Sequence, residues 1–223
     1  MRRITWPRAS ATRLSVVVLG LAVLSALMSR TLWRAPTGES ASSTSQHNQS
    51  SGPPWIYGRP DARFTIIEYA DLECPYCRDY FPSLRRWVDE HPDTNWQWNH
   101  LPLAMNDPAA TNDAKLTECA GATGGNAAFW SMTAWIYQHT RGNGGGLTAD
   151  IPIPGMSKAL RACVVGTKPM ELIHAQAAAA AREHISATPT LRLVDHRSGK
   201  TLTLQGPADG DALLSAIDLL SSP

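Results

Sequence analysis

The spacing of apolar residues changes several times along this chain, and each change predicts an element. Phe64-Thr-Ile-Ile-Glu-Tyr-Ala70 has the β-branched and aromatic content of a buried strand. The stretch from Pro75 to about His91 reads as a helix, with proline in the first turn, where its missing N–H has no partner to lose. Asn95 to Leu101 alternates as a second core strand that Pro102 ends, which assigns Trp96 and Trp98 to the core. Trp55 to Gly58 fits a short edge strand before the Pro60-Asp61 turn.

Strand signals then stop between residues 107 and 184. Leu116, Cys119 and Ala120, then Phe129, Met132, Thr133, Ile136 and Tyr137, fall at helical spacing. Arg141 to Gly146, glycine-rich, is expected to be a mobile loop. Met156 to Cys163 is a short helix, and Thr167 to about Glu183 is an alanine-rich one, with Thr167 as its cap and Pro169 in its first turn. After Thr188-Pro189 the pattern returns to alternation. Thr190 to Val194 and Lys200 to Gln205 form a hairpin about Asp195–Gly199. A last helix from about Asp209 to Leu220 turns Leu213, Leu214, Ile217 and Leu220 inward.

The first 54 residues do not share these patterns. Arginines at 2, 3, 8 and 13 precede the apolar run Leu14–Met28, and Arg30 and Arg34 follow it. That is the form of a signal peptide or an uncleaved signal anchor; the lack of a clean small-residue cleavage site favours the anchor. Residues 35–54, rich in Ser, Gly, Thr and Pro, form a flexible linker that cannot bury enough surface to fold. The chain from residue 55 to 223 is long enough for one domain with its own core. Six of the 20 Lys and Arg residues are arginines before residue 35; from there on 14 basic residues face 19 acidic ones, a net of −5. A mildly acidic domain without basic-aromatic patches gives no reason to expect a nucleic-acid partner.

The chemistry concentrates at Cys74-Pro-Tyr-Cys77, between the first long strand and its helix. A cysteine at a helix start meets the positive end of the macrodipole and unpaired backbone N–H groups, which favour thiolate. Cys74 is therefore the expected attacking sulfur and Cys77, one turn in, the resolving one. C-x-x-C is also half of many zinc sites, but no second pair at ligand spacing follows, so no metal is expected. His91, His100 and His184 stand singly and are read as surface or packing residues.

Strand, Cys-Pro-Tyr-Cys, helix, and a later Thr188-Pro189 before a strand resemble the thioredoxin superfamily, and within it the DsbA-like branch of secreted thiol oxidoreductases. The resemblance covers roughly residues 55 to 221. It implies an α/β thioredoxin fold with an inserted helical domain at about 107–184. It implies that Glu68, six residues before Cys74, is a buried acid serving the dithiol, and that Pro82 kinks the active-site helix. Pro75, Tyr76, Thr188 and Pro189 would meet substrate, with Thr188-Pro189 as a cis-proline loop. Cys119 and Cys163 stand where some DsbA-like proteins carry a structural disulfide; two free buried thiols are the alternative.

The implied function is thiol–disulfide exchange on exported, cysteine-containing proteins, as a dithiol oxidase and without a cofactor. A membrane redox partner would reset the dithiol, and the site of action would be periplasmic or extracytoplasmic, on a membrane tether. The alternatives are a DsbG-like reductase or isomerase, whose N-terminal dimerisation domain the short polar linker does not supply, and a metal-binding assembly factor.

Overall fold

A computed structural model of the protein describes residues 52–222. The apolar run Leu14–Met28, with its signal or anchor reading, and residues 35–51 of the linker lie outside the described residues. Five strands form one sheet: β1 (Ile56–Tyr57), β2 (Phe64–Ala70), β3 (Thr94–His100), β4 (Thr190–Asp195) and β5 (Thr201–Gln205), in the order β1-β3-β2-β4-β5. β2 and β3 run parallel, with Glu68 opposite Trp98, and the other pairings are antiparallel. The parallel pair requires a crossover, which α1 (Pro75–Glu90) makes. Between β3 and β4 lie α2 (Ala109–Gly124), α3 (Asn126–His139), α4 (Lys158–Val165) and α5 (Lys168–Arg182); α6 (Gly210–Ser221) ends the described chain. This is an α/β thioredoxin-like fold with an inserted helical block.

Strand alternation divides β2 between two layers. Ile66 and Ala70 join the core beneath α1 and α6, whereas Tyr69 packs with Ala180 of α5 and with Ile185. Glu68 therefore shares the α1 face with Ile66 and Ala70. α1 lays Cys77, Tyr80, Phe81, Leu84, Trp87 and Val88 onto that face, at helical spacing. Pro82 lies inside α1 on its solvent side.

An aromatic seam joins the sheet to the inserted block. Trp96 of β3 meets Phe81 of α1 at 5.2 Å and Trp130 of α3 at 4.5 Å, while Phe81 also reaches Tyr137 of α3 at 5.3 Å. Such pairs add about 0.5–1.5 kcal/mol each beyond their area burial. Beside the seam runs a buried polar chain. The Trp98 indole donates to His100 Nδ1 (3.1 Å), so the opposite nitrogen carries the proton and faces Glu118 Oε1 at 3.2 Å; Trp55 donates to the other Glu118 oxygen at 2.8 Å. Gly121 makes room for Trp55, since a Cβ there would lie 2.5 Å from its ring.

Four local expectations change. The loop at 141–146 is tied down: Asn143 N donates to Glu73 O at 2.7 Å and Gly146 N to Glu73 Oε2 at 2.9 Å. Leu214 is 43 % exposed, and Ala216 takes its place on the buried face of α6 because it sits one turn from Leu213 and Leu220. α4 begins at Lys158, capped by Ser157, whose side chain accepts from Leu160 N. Thr167 stands at the N-cap of α5 in a helical conformation and makes no side-chain cap bond. His184 takes the left-handed slot of a Schellman motif, with Ile185 N bonded to Ala180 O and His184 N to Ala181 O.

Cys119 of α2 and Cys163 of α4 are joined by a disulfide that closes a loop of sequence separation 44. Loop-closure entropy alone makes such a bridge worth about 4 kcal/mol. The double variant Cys119→Ala/Cys163→Ala should lose roughly 2–4 kcal/mol in denaturant unfolding, with the reactivity of Cys74 unchanged. A loss below about 1 kcal/mol would show that the helical packing holds the block without it.

Candidate active site

β2 ends at Ala70, and the turn Asp71–Cys74 delivers the chain to the start of α1. Each acid of this turn holds it from a different side. Asp71 Oδ1 accepts from Glu73 N (2.7 Å), and Oδ2 accepts from Leu103 N (2.9 Å) and Asn106 Nδ2 (2.8 Å), which fastens the turn to the segment after β3. Glu73 accepts from the Thr140 hydroxyl and from Gly146 N, which fastens it to the inserted block. Cys74 N closes the turn onto Asp71 O at 3.1 Å.

Cys74 is thereby the N-cap of α1, in an extended conformation, with Pro75 in the first turn. Its side chain makes no cap hydrogen bond, so the sulfur stands before the free N–H groups of the turn. Among the described residues Cys74 and Cys77 are free thiols, 5 % and 0 % exposed. An attacking sulfur is expected to be open to solvent, and Cys74 is more covered than that because the 188–189 loop lies against it. The Cys74 thiol points at the Thr188 carbonyl oxygen, 3.5 Å away. The Thr188–Pro189 bond is cis, as are Pro53–Pro54 and Asp107–Pro108, which sequence reasoning did not single out. Pro189 is buried, and Tyr76 is 68 % exposed on the opposite side of the first turn.

The two sulfurs titrate apart. The hydrogen bond from the Cys77 thiol lowers the Cys74 pKa most, and burial opposes it. The Thr188 side chain and the N–H groups of Cys77 and Tyr76 add to the lowering, leaving Cys74 at about 6. Cys77 is raised well above the ordinary thiol value, first by burial, then by the hydrogen bond it gives Cys74 and by the negative charge of Glu68. At neutral pH the pair thus holds one thiolate and one thiol, with the nucleophile outermost.

Glu68 lies beneath them, 1 % exposed, and neither carboxylate oxygen has a hydrogen-bond partner among the described residues. Burial pushes its pKa up to about 8; the Trp96 indole works against that, and a charged Cys74 adds to it. A carboxyl poised near neutrality below the buried thiol can give or take the proton of Cys77.

Three further buried acids, Asp71, Glu73 and Asp113, lie behind the turn, and sequence reasoning passed over them as site residues. Asp113 of α2 is raised to about 8, first by burial, then by its hydrogen bond to Glu73 and by the charges of Glu73 and Asp71. It therefore keeps a proton at neutral pH, which limits the negative charge close to the Cys74 thiolate. Two acids in the three residues before Cys74 were the available signal; Asp113 gave none, because its partners come from α1's turn and not from α2. No group of three His, Cys, Asp or Glu side chains among the described residues is arranged to hold a metal, and Cys119 and Cys163 are bonded to each other.

Residues 50–218 match the family described as Thioredoxin. Pseudomonas aeruginosa DsbA2 is 45 % identical over 75 % of this chain and 94 % of its own, with a TM-score of 0.72. A thioredoxin-like oxidoreductase from Silicibacter pomeroyi (17 % identity, 77 % and 93 % coverage, TM-score 0.59) shares the fold. So does α-DsbA2 of Wolbachia pipientis (14 %, 74 % and 86 %, TM-score 0.61). Among curated proteins, the Na(+)/H(+) antiporter NhaA 3 of Salinispora tropica is 36 % identical over 84 residues; the match takes in 38 % of this chain and only 12 % of that protein's length.

Two expected outcomes follow from the titrations. Replacing Cys77 by Ala removes the largest stabiliser of the Cys74 thiolate, so thiolate absorbance should titrate well above the value of about 6 in the parent; an unchanged midpoint would assign the lowering to the helix terminus. For Glu68 the folded pKa is raised, so between about pH 4.5 and 8 the native protein holds a proton the unfolded chain has released. Stability falls across that window as pH rises. With the dithiol oxidised, Glu68→Gln should match the parent near pH 4 and exceed it by roughly 3 kcal/mol at pH 7, measured by denaturant unfolding at each pH.

Proposed function

The chain belongs to the DsbA-like thiol:disulfide oxidoreductases of the thioredoxin superfamily, and on that premise we propose that it works as a dithiol oxidase on exported proteins through Cys74 and Cys77. The observation that carries this reading is the separation of the two sulfurs, Cys74 lowered to about 6 and Cys77 raised. A low pKa on the nucleophile stabilises the reduced pair. For a shift from 9 to about 6 the gain at pH 7 is about 1.4 kcal/mol, or roughly 30 mV towards an oxidising potential.

In the forward direction a substrate thiolate attacks the Cys74 sulfur of the Cys74–Cys77 disulfide. A substrate–Cys74 bond forms, the Cys74–Cys77 bond breaks, and Cys77 leaves as a thiolate. Glu68, protonated at neutral pH, gives Cys77 a proton. A second substrate thiolate then attacks the substrate-side sulfur, releasing an oxidised substrate and the Cys74 thiolate, which the first turn of α1 stabilises. The backbone at Thr188 is available to pair with an extended substrate, and Pro189 and Pro75 bring no N–H to the sulfur. Tyr76, exposed on the other side of Cys74, offers an apolar platform. One turn below Cys77 opens a cleft of about 440 Å³ between α1 and α6, lined by Tyr80, Leu84, Trp87, Pro207 and Leu213, which suits an apolar substrate side chain.

Action outside the cytoplasm is supported by the arginine-flanked apolar run Leu14–Met28 and by the second disulfide. In this reading the run tethers the domain to the membrane, with residues 35–54 as linker, and a membrane redox partner reoxidises the dithiol. Among the described residues no helix is long and apolar enough to cross a membrane, so the tether rests on that run alone.

The test is the equilibrium potential of the Cys74–Cys77 pair against glutathione. An oxidase requires a value well above about −270 mV, towards the −120 mV end of the family range; a value at the thioredoxin end would make the protein a reductase. Cys74→Ser should abolish exchange, and Cys77→Ser should trap substrates as mixed disulfides on Cys74, visible on non-reducing gels.

A further inference from the structure

Cys74 heads a row of residues along α1. Arg78 N bonds Cys74 O at 3.1 Å, and positions 74, 78, 82 and 86, four apart, share one face of the helix. That face borders a groove of about 530 Å³ between α1 and α3. Its apolar floor is Phe81, Pro82 and Tyr137, and its rim carries Arg78, Arg85 and Arg86. The one acid on the rim, Asp89, already accepts from the Tyr57 hydroxyl at 2.8 Å, and Arg85 stacks over the Tyr57 ring at 5.0 Å.

The other two guanidinium groups are less engaged. Arg78 meets only its exposed neighbour Asp79, at 3.4 Å, and Arg86, exposed, enters no ion pair among the described residues. A cationic groove on a domain of net charge −4 (14 basic and 18 acidic residues over 55–223) is a local inversion of sign, and it begins one helical turn from the attacking sulfur.

We propose that this groove is a specificity subsite for acidic side chains flanking the reacting cysteine of a polypeptide substrate. The inference rests on the thiol-exchange reading and adds which substrates it favours. The helix rises about 6 Å from Cys74 to Arg78 and about 18 Å to Arg86. An extended chain advances about 3.3 Å per residue. Side chains of an extended chain alternate between its faces, so the matching acids stand about two and about six residues from the substrate cysteine, on the flank that leads away from Thr188. Apolar side chains between them meet Phe81, Pro82 and Tyr137.

Dithiol peptides carrying Asp at those two spacings, on either flank, are compared with Lys and with Ser peptides, using the full chain with its dithiol oxidised. The Asp set on one flank should show kcat/KM about three- to tenfold above its Lys counterpart, with the difference shrinking as salt rises. The variant Arg78→Glu/Arg86→Glu should reverse that preference while leaving the Ser peptide within about twofold. Should it fail to fold, Arg78→Gln/Arg86→Gln reads the loss of preference instead. Equal rates for all peptides, or an unchanged preference in the variants, would overturn the subsite and leave the exchange activity standing. Oxidation of no peptide at all would overturn both readings.

Discussion

A sulfur anion held against protein atoms loses its water, and burial by itself would raise the Cys74 pKa. The rest of the site is built around offsetting that cost. At the start of α1 the Cys77 thiol and the N–H groups of Tyr76 and Cys77 favour the anion, and the Thr188 loop lies against the same sulfur. Of these, the Cys77 thiol contributes most. Their effect depends on the Asp71–Cys74 turn holding the sulfur at the helix terminus, within reach of a loop more than a hundred residues later in the chain.

That dependence explains the acids packed behind the turn. Asp71 binds it to the segment after β3 and Glu73 binds it to the inserted block, so two parts of the fold clamp one short turn. Negative charge so close to a thiolate would work against it. Asp71 and Glu73 are instead consumed by backbone and side-chain donors, and Asp113 stays protonated beside Glu73. Glu68 differs in kind. It has no donor among the described residues and is held mostly as the neutral acid, which suits a group that exchanges protons with Cys77.

The inserted helical block is thus part of the site as well as a cover for the sheet. It is anchored by the Trp96–Phe81–Trp130 seam, the His100–Glu118–Trp55 chain and the Cys119–Cys163 bridge. Through α3 it supplies one wall of the arginine groove, and through Thr140 and Gly146 it holds Glu73. Unfastening Glu73 from Thr140 and Gly146 would reach Cys74 through the turn.

Most elements were legible in the sequence because their cause is local. The β-branched run Phe64–Ala70, the proline after Cys74 and the alternation of Thr190–Val194 each set backbone preference and burial over a few residues. Position relative to a helix start also made Cys74 the candidate nucleophile, and the resemblance to the thioredoxin superfamily singled out Glu68. Other features depend on partners far apart in the chain. The glycine-rich stretch at 141–146 has a loop's composition, yet Glu73, some seventy residues earlier, decides that it is tied. Leu214 fits an apolar stripe, but the crossing of α6 over β4 turns Ala216 inward instead. His100 gave no local signal, because Trp98 and Glu118 determine its tautomer and burial. The sequence by itself determined which segments are strands and helices and where the dithiol stands; the tertiary structure alone decided which buried charges meet it, since burial and pairing belong to neighbours that only folding brings together.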